Sequence, residues 1–336
     1  LRFLAWLAAA AAVIGATSAS AQTQAVTIAA HFPLTGGSAP AGAAVLEATR
    51  LAIDEANATQ EAPPILLEVQ DDRSTDDGAR EVARRIAASN PLVVVGPGTT
   101  TSALAAGPIY GQAGMAAIVP FAHGAGGEAS PTTYRLVFST AEMGEALANY
   151  LHYVLGGNRA VVLHRDNGYG RPIAAGFRRT AERLGLTATY HVFSDVRQAA
   201  DLARAAAADP DHPAIVLGMN DPDATPVMAA LRRHGAKSLV LGTSAVATDA
   251  FADGFADQPE YRRDHGFFTD GLYAASPLVF DSANADTLAF AARYRARYGR
   301  EPRWEAAQGY DAARLAIAAV RAATRAGGAD ASLSAR

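Results

Sequence analysis

Apolar positions along the chain follow two alternating rhythms. Short runs with β-branched residues occur at 26–31, 65–70, 92–95 and 116–119. Between them, alanine or larger apolar residues recur every three and four positions across 42–57, 76–89 and 99–113, which is the period of a helix with one buried face. The alternation then returns. Strands are predicted at 159–164, 187–192, 214–218 and 238–241, and helices at 141–155, 169–185, 197–208 and 222–235. Two further helices are predicted at 284–298 and 304–324. Near-continuous apolar strands that alternate with helices indicate parallel sheets covered on both faces. Two such series indicate two α/β lobes, although no close internal repeat is visible in the residues. Residues 255–272 (FADQPEYRRDHGFFTDGL) interrupt the rhythm and read as a long connection.

Composition narrows the possibilities. The 336 residues are half apolar, enough for two lobes of ordinary size with a substantial core. A formal net charge of −4 argues against a nucleic-acid partner. The chain contains no cysteine, which excludes disulfides, thiolate metal sites, a cysteine nucleophile and a lipid-anchored cysteine. At the start, Arg2 precedes an apolar stretch from Phe3 to Ala16 and then Ala19-Ser20-Ala21, the small-x-small pattern of a cleavage site. The apolar stretch is shorter than the roughly 20 residues of a membrane span. Export with cleavage near Ala21 is expected.

The turns that follow the strands hold the candidate chemistry. VVVGPGTTTSALA (93–105) runs from a buried strand through a glycine turn into Thr99, Thr100, Thr101 and Ser102 at a helix start. Free N–H groups and the helix dipole favour an anion there, and the hydroxyls add donors. A plain N-cap uses one hydroxyl, and four are present. A dinucleotide fingerprint is not completed, because Thr101 stands where a third glycine is needed and no acid ends the following strand. No lysine follows the glycines, so a Walker loop is absent too.

Similar turns follow other strands. HFPLTGGSAPAG (31–42) repeats the strand–glycine–helix layout and suits a cradle or a structural turn equally well. VPFAHGAGG (119–127) sets Phe121 and His123 on a loop at the carboxyl end of a strand. In HRDNGYGR (164–171), Tyr169 stands between two glycines, free to project into a cleft. In GMNDPDATP (218–226), Asp221 and Asp223 read as caps of a helix beginning near Pro222, which leaves Asn220 as the cleft candidate. The acids of DDRSTDD (71–77) suit a helix start, and the spacing lacks the glycine and closing glutamate of a calcium loop. No metal site is expected. No G-x-S-x-G elbow, H-E-x-x-H or paired carboxylates stand out. Nothing in the residues asks for an enzyme, although a Rossmann-type hydrolase or dehydrogenase stays open because triads assemble in space.

These loops, in this order, resemble the periplasmic substrate-binding proteins of branched-chain amino acid ABC transporters. The resemblance spans roughly residues 25–325 and rests on PLTG, LAIDEAN, VQDDRSTDD, VVVGPGTTTSALA, AAIVPFAHG, DNGYGR and AAQGYDAARL. It implies a type I periplasmic binding fold: two Rossmann-like lobes with parallel sheets flanked by helices and a ligand cleft between them. Residues 24–138 and 273–336 would form the first lobe, 139–272 the second, and 1–21 the signal peptide. Thr100 and Thr101 would meet a ligand carboxylate. Phe121 and His123, with backbone near Ala122, would line the first-lobe wall, and Tyr169, Asn220 and Ser244 the second. The family resemblance implies a monomer without cofactor or catalysis that hands a small solute to a membrane permease, or alternatively a sensor signalling to a partner protein. One departure bears on the ligand: in LGTSAVA (241–247), Ser244 stands where amino-acid binders place an acid for the ammonium. An organic carboxylate, aromatic or apolar, is therefore expected over leucine, isoleucine or valine.

Overall fold

The computed structural model describes residues 25–59, 63–124 and 130–327. The export segment expected at 1–21 lies outside the described residues. The first sheet contains β1 (Val26–Phe32), β2 (Ile65–Asp71), β3 (Val93–Val95), β4 (Ala117–Val119) and β5 (Thr133–Arg135). Its order is β2-β1-β3-β4-β5, parallel throughout. The second contains β6 (Arg159–Arg165), β7 (Thr187–Phe193), β8 (Ala214–Gly218), β9 (Val240–Gly242) and β10 (Leu272–Ala274). Its order, taken from the β7 edge, is β7-β6-β8-β9-β10, also parallel. The two sheets therefore share one topology. Each reverses direction of winding beside its first strand, at β1/β3 and at β6/β8, and such switch points open a crevice at the carboxyl ends of the strands.

Helices cover both faces of each sheet, as the alternation requires. In the first lobe these are α1 (Ala39–Ala58), α2 (Asp76–Ser89) and α3 (Thr100–Gln112). In the second they are α4 (Thr140–Tyr153), α5 (Gly170–Leu184), α6 (Val196–Ala207) and α7 (Asp221–Arg233). Short α8 (Asp249–Asp253) and α9 (Pro259–Arg263) follow, and then α10 (Ala285–Tyr298) and α11 (Trp304–Gly327). Successive strand residues face opposite ways. Ile28, Val93 and Val95 join the core formed with α1 and α11, while Ala29 and Val94 join Val82, Ile86 and Tyr110 of α2 and α3. Although α11 follows the second sheet in sequence, its Ile317 and Val320 pack in the first lobe's core. Tyr294 and Tyr298 of α10 donate to the side chain and backbone carbonyl of Glu47 on α1. The chain thus leaves the first lobe after β5 and returns after β10.

Several elements differ from the sequence expectation. Helix α1 begins at Ala39, three residues early, because Pro40 is tolerated in a first turn where its missing N–H costs nothing. The strand expected at 238–241 forms at Val240–Gly242. The three-residue strands β5 and β10 are too short to show a period. Because β10 pairs with β9, the second sheet runs through Ala274, past the boundary expected at residue 272. The segment 255–272 is part of the second core and not a bare connection. Phe255 and Phe268 are fully buried and stack with ring centroids 4.4 Å apart, and Phe251 meets Phe255 edge-on at 5.3 Å. Arg232 ties the segment down by donating to the Asp270 carbonyl, and Arg233 pairs with Glu260.

Truncating Phe268 to alanine removes a fully buried ring from this aromatic stack. The expected cost is about 3–5 kcal/mol, read as a lowered urea midpoint. A loss under about 1 kcal/mol would return the segment to a surface connection.

Candidate functional site

The carboxyl ends of both sheets face one cleft, with about 670 Å3 of space free of protein atoms. Its first-lobe wall is built on α3. Thr99 is the N-cap: its hydroxyl accepts from the Ser102 N–H at 3.2 Å and donates to the Ser102 hydroxyl at 2.9 Å. Thr99 and Ser102 are thus spent on each other, and the Thr101 hydroxyl makes a long 3.4 Å contact to Thr99 in which it is the donor. Thr100 and Thr101 line the cleft. The Thr100 oxygen accepts from the Gly124 N–H at 3.0 Å, which leaves its proton free to donate. Gly98 makes room for Phe121, since an added Cβ there would sit 2.8 Å from the Phe121 ring. Gly96 has φ +119°, and a Cβ would come within 2.2 Å of the His31 carbonyl oxygen, so this turn requires glycine. Ala122 does not line the cleft. Its side chain is fully buried with Ala103 and Val119, so only its backbone remains available.

His123 joins the two walls. Its Nδ1 lies 2.8 Å from the Phe138 carbonyl oxygen, and its Nε2 lies 2.9 Å from the Ser244 hydroxyl. A carbonyl only accepts, so Nδ1 carries the proton and Nε2 accepts from Ser244. The ring is 5.0 Å from Phe138 and 5.9 Å from Trp304 between centroids. Burial pushes its pKa down to about 4 against the help of the Phe138 carbonyl, so His123 is neutral at pH 7. Other contacts also cross between lobes. A Cβ added at Gly168, beside Tyr169, would lie 2.6 Å from Leu104 Cδ1, and one added at Gly37 would lie 3.5 Å from Pro222. The lobes are closed on each other.

The second-lobe wall carries Tyr169, Asn220 and Ser244, all three lining the cleft. Asn167 Oδ1 accepts from the backbone N–H of Tyr169 at 3.0 Å and of Gly170 at 2.8 Å, which turns the chain into α5 and fixes Tyr169. Tyr169 is 5% exposed, and its hydroxyl sits beside Thr243, Ser244 and Ala245 without a well-aligned hydrogen bond among the described residues; burial raises its pKa against the pull of those neighbours. Asn220 is the N-cap of α7 and does not spend its side chain on capping.

Sequence reasoning missed part of the lining. Ser38, Pro40 and Ala41 at the start of α1 belong to it, as do Ala245 and Thr248 after β9. So do Arg303, Trp304 and Glu305 at the start of α11, which look in the sequence like any helix opening. Trp304 is 7% exposed and its Nε1 has no partner among the described residues. Arg303 pairs with the buried Glu305 through bonds of 2.8 and 3.3 Å. Asp221, expected to be only a cap, also lines the cleft, and burial raises its pKa to about 6. Among the described residues no group of three or more His, Asp or Glu side chains is gathered to hold a metal ion.

Comparisons with known proteins agree with this architecture. A family model described as periplasmic binding protein matches residues 25–335. The chain belongs to the periplasmic binding protein family, with the type I fold of two parallel-sheet lobes around a cleft. It is similar to a leucine-binding protein of Thermotoga maritima, with 24% identity, a TM-score of 0.76, and coverage of 92% of this chain and 86% of that one. It is also similar to a putative branched-chain amino acid ABC transporter protein of Rhodospirillum rubrum, at 28% identity and TM-score 0.61, covering 93% and 87% of the two chains. A benzoate-bound ABC transporter solute-binding protein of Rhodopseudomonas palustris matches at 22% identity and TM-score 0.76, with 93% and 84% covered. No curated protein sequence matches the chain.

The state of His123 has a measurable consequence. Its pKa is about 4 folded against about 6.5 unfolded, so the unfolded chain takes up the proton first as pH falls. Stability from this group is intact above pH 6.5 and is lost between 6.5 and 4, by up to about 3 kcal/mol. Subtracting the profile of His123→Gln from that of the unaltered protein isolates this step from other titrating groups. A flat difference would mean that His123 titrates as a solvated histidine.

Proposed function

We propose that this chain is an extracytoplasmic solute-binding protein that captures a small organic carboxylate in the cleft and presents it, through lobe closure, to the permease of an ABC importer. It acts as a monomer and performs no catalysis. Residues 25–138 together with the return segment after β10 make one lobe, and the stretch between makes the other. The observation that carries the reading is the set of unmatched donors. Trp304 Nε1 is buried without a partner among the described residues, and Tyr169 Oη is buried without a well-aligned one. Thr100 adds a free hydroxyl proton, and Thr101 one engaged only in a long contact to Thr99, at a helix N-terminus where free N–H groups favour an anion. Orphaned donors in a closing cleft are costly until an acceptor arrives, and a carboxylate offers two oxygens with about four lone pairs.

The aromatic lining of Phe121, His123, Tyr169 and Trp304 suits a planar or apolar body behind that carboxylate. Relatives of the same fold include proteins solved with benzoate, 3,4-dihydroxybenzoic acid and isoleucine, so the fold accommodates both organic acids and amino acids. Closure follows from differential binding: a ligand touching both walls stabilises the closed form over the open one by what it gains from the second wall.

A thermal-shift panel of aromatic acids, aliphatic acids and branched-chain amino acids identifies binders. A ligand at 100 times its Kd stabilises the protein by about 2.7 kcal/mol. Replacing both Thr100 and Thr101 by valine keeps volume and removes donors worth about 1.5–3 kcal/mol each to a charged acceptor. The double variant should fold normally and lose at least about tenfold in calorimetric affinity for the best acid. Unchanged affinity would reduce both residues to helix-start structure.

A further inference from the structure

Asp221 is the charged group in the cleft that carboxylate capture does not use. It is the first residue of α7, just past β8, and its side chain lines the cleft. Its neighbour Asp223 is held by Arg165 at 3.0 Å. No side-chain donor of the described residues is hydrogen-bonded to Asp221. The cation across from it, Arg303, is already clamped by Glu305, which is 2% exposed and needs that partner itself. The cleft therefore contains three charges that sum to −1, and Asp221, whose one donor is its own backbone N–H, is the acid left without a side-chain donor. Ionised carboxylates only accept, and burying one without a donor is costly.

We propose that Asp221 is a specificity residue that accepts a hydrogen bond from the ligand, so that the captured solute is a carboxylic acid bearing a second, donating group, with a hydroxyl favoured. This rests on the carboxylate reading above and adds what the rest of the ligand must be. Two independent features point the same way. Tyr169 Oη and Trp304 Nε1, on side chains more than nine-tenths buried, need an acceptor. Asp221 needs a donor. A plain hydrocarbon acid satisfies the first and leaves the second orphaned.

A hydroxyl fits better than an ammonium because of what faces Asp221. Arg303 and Glu305 approach from α11, Asp223 lies on its own helix, and Tyr169 stands on the start of α5. Arg303 is the largest charge acting on Asp221 and opposes a second cation there, an effect that Glu305 and Asp223 partly offset. Burial also favours the protonated acid, which weakens it as a counter-ion but lets it bond a hydroxyl in either state.

The test is calorimetry with matched acids: benzoate against 3- and 4-hydroxybenzoate, and 4-methylpentanoate against its 2-hydroxy form and leucine. In the unaltered protein, a hydroxylated acid should bind at least about tenfold tighter than its parent. In Asp221→Ala the ratio should fall to within about twofold of one. Asp221→Asn keeps an accepting oxygen and should keep most of a hydroxyl preference. If leucine is instead the preferred member and Asp221→Asn loses that preference as fully as Asp221→Ala, the donor is an ammonium and the accepting role stands. Parent acids binding as tightly as their substituted forms, or a preference that survives Asp221→Ala with unchanged melting and circular dichroism, would overturn the inference while leaving carboxylate capture intact. If no acid binds at all, carboxylate capture itself fails and the role of Asp221 falls with it.

Discussion

The hydrogen bond from Ser244 to His123 Nε2 joins two halves of the molecule that share no sheet. It forms only because the Phe138 carbonyl takes the other ring proton and burial keeps the imidazole neutral. Around it the walls meet closely enough that a side chain at Gly168 would have to push the Leu104 methyl aside. Closure of this kind removes water from every polar group on both walls. Each must then find a partner in the protein or in a ligand, and Tyr169 Oη and Trp304 Nε1 have no well-aligned one among the described residues. A single net hydrogen bond is worth only about 1 kcal/mol, whereas a buried orphan costs about 1–3. One latch therefore does not offset the orphans, and the ligand supplies the balance.

The placement of the walls follows from topology. Both sheets run in one order, with the switch points at β1/β3 and β6/β8. The turns after those strands carry the starts of α1, α3, α5 and α7, and all four contribute to the cleft lining or lie beside it. Helix starts present free N–H groups and the positive end of the dipole. A cleft lined in this way is rich in donors before any side chain is counted. Donor-bearing side chains such as Thr100, Thr101 and Tyr169 extend that character, and Asp221 is the exception that gives it a second pole.

Much of this was legible in the chain. Fully buried strands such as Val93–Val95 announce themselves as apolar runs, and an N-cap hydroxyl such as Thr99 marks where α3 begins. Of the eight candidate residues, seven line one cleft. These lie in turns directly after predicted strands, where position along the chain fixes position in space. Ala122 does not show its side chain to the cleft, because that small group packs inward with Ala103, and only its backbone stands near the wall, as expected of it. What was not legible depends on long-range return. Arg303, Trp304 and Glu305 reach the cleft because α11 packs back on the first lobe, and nothing local in the sequence says so. Asp221 has the residue type and place of a helix cap, and only the packing of both lobes reveals that it faces the cleft. The segment holding Phe255 and Phe268 has no period because its burial comes from ring stacking and not from a regular face.

The central claim is that a carboxylate ligand, gripped by both walls, holds the lobes shut. Small-angle X-ray scattering with and without a saturating acid measures it most directly. The account predicts that the radius of gyration falls when the best acid is added. It also predicts that Gly168→Leu, whose side chain collides with Leu104, stays near the ligand-free value. Identical curves with and without a bound acid in the unaltered protein would contradict the account.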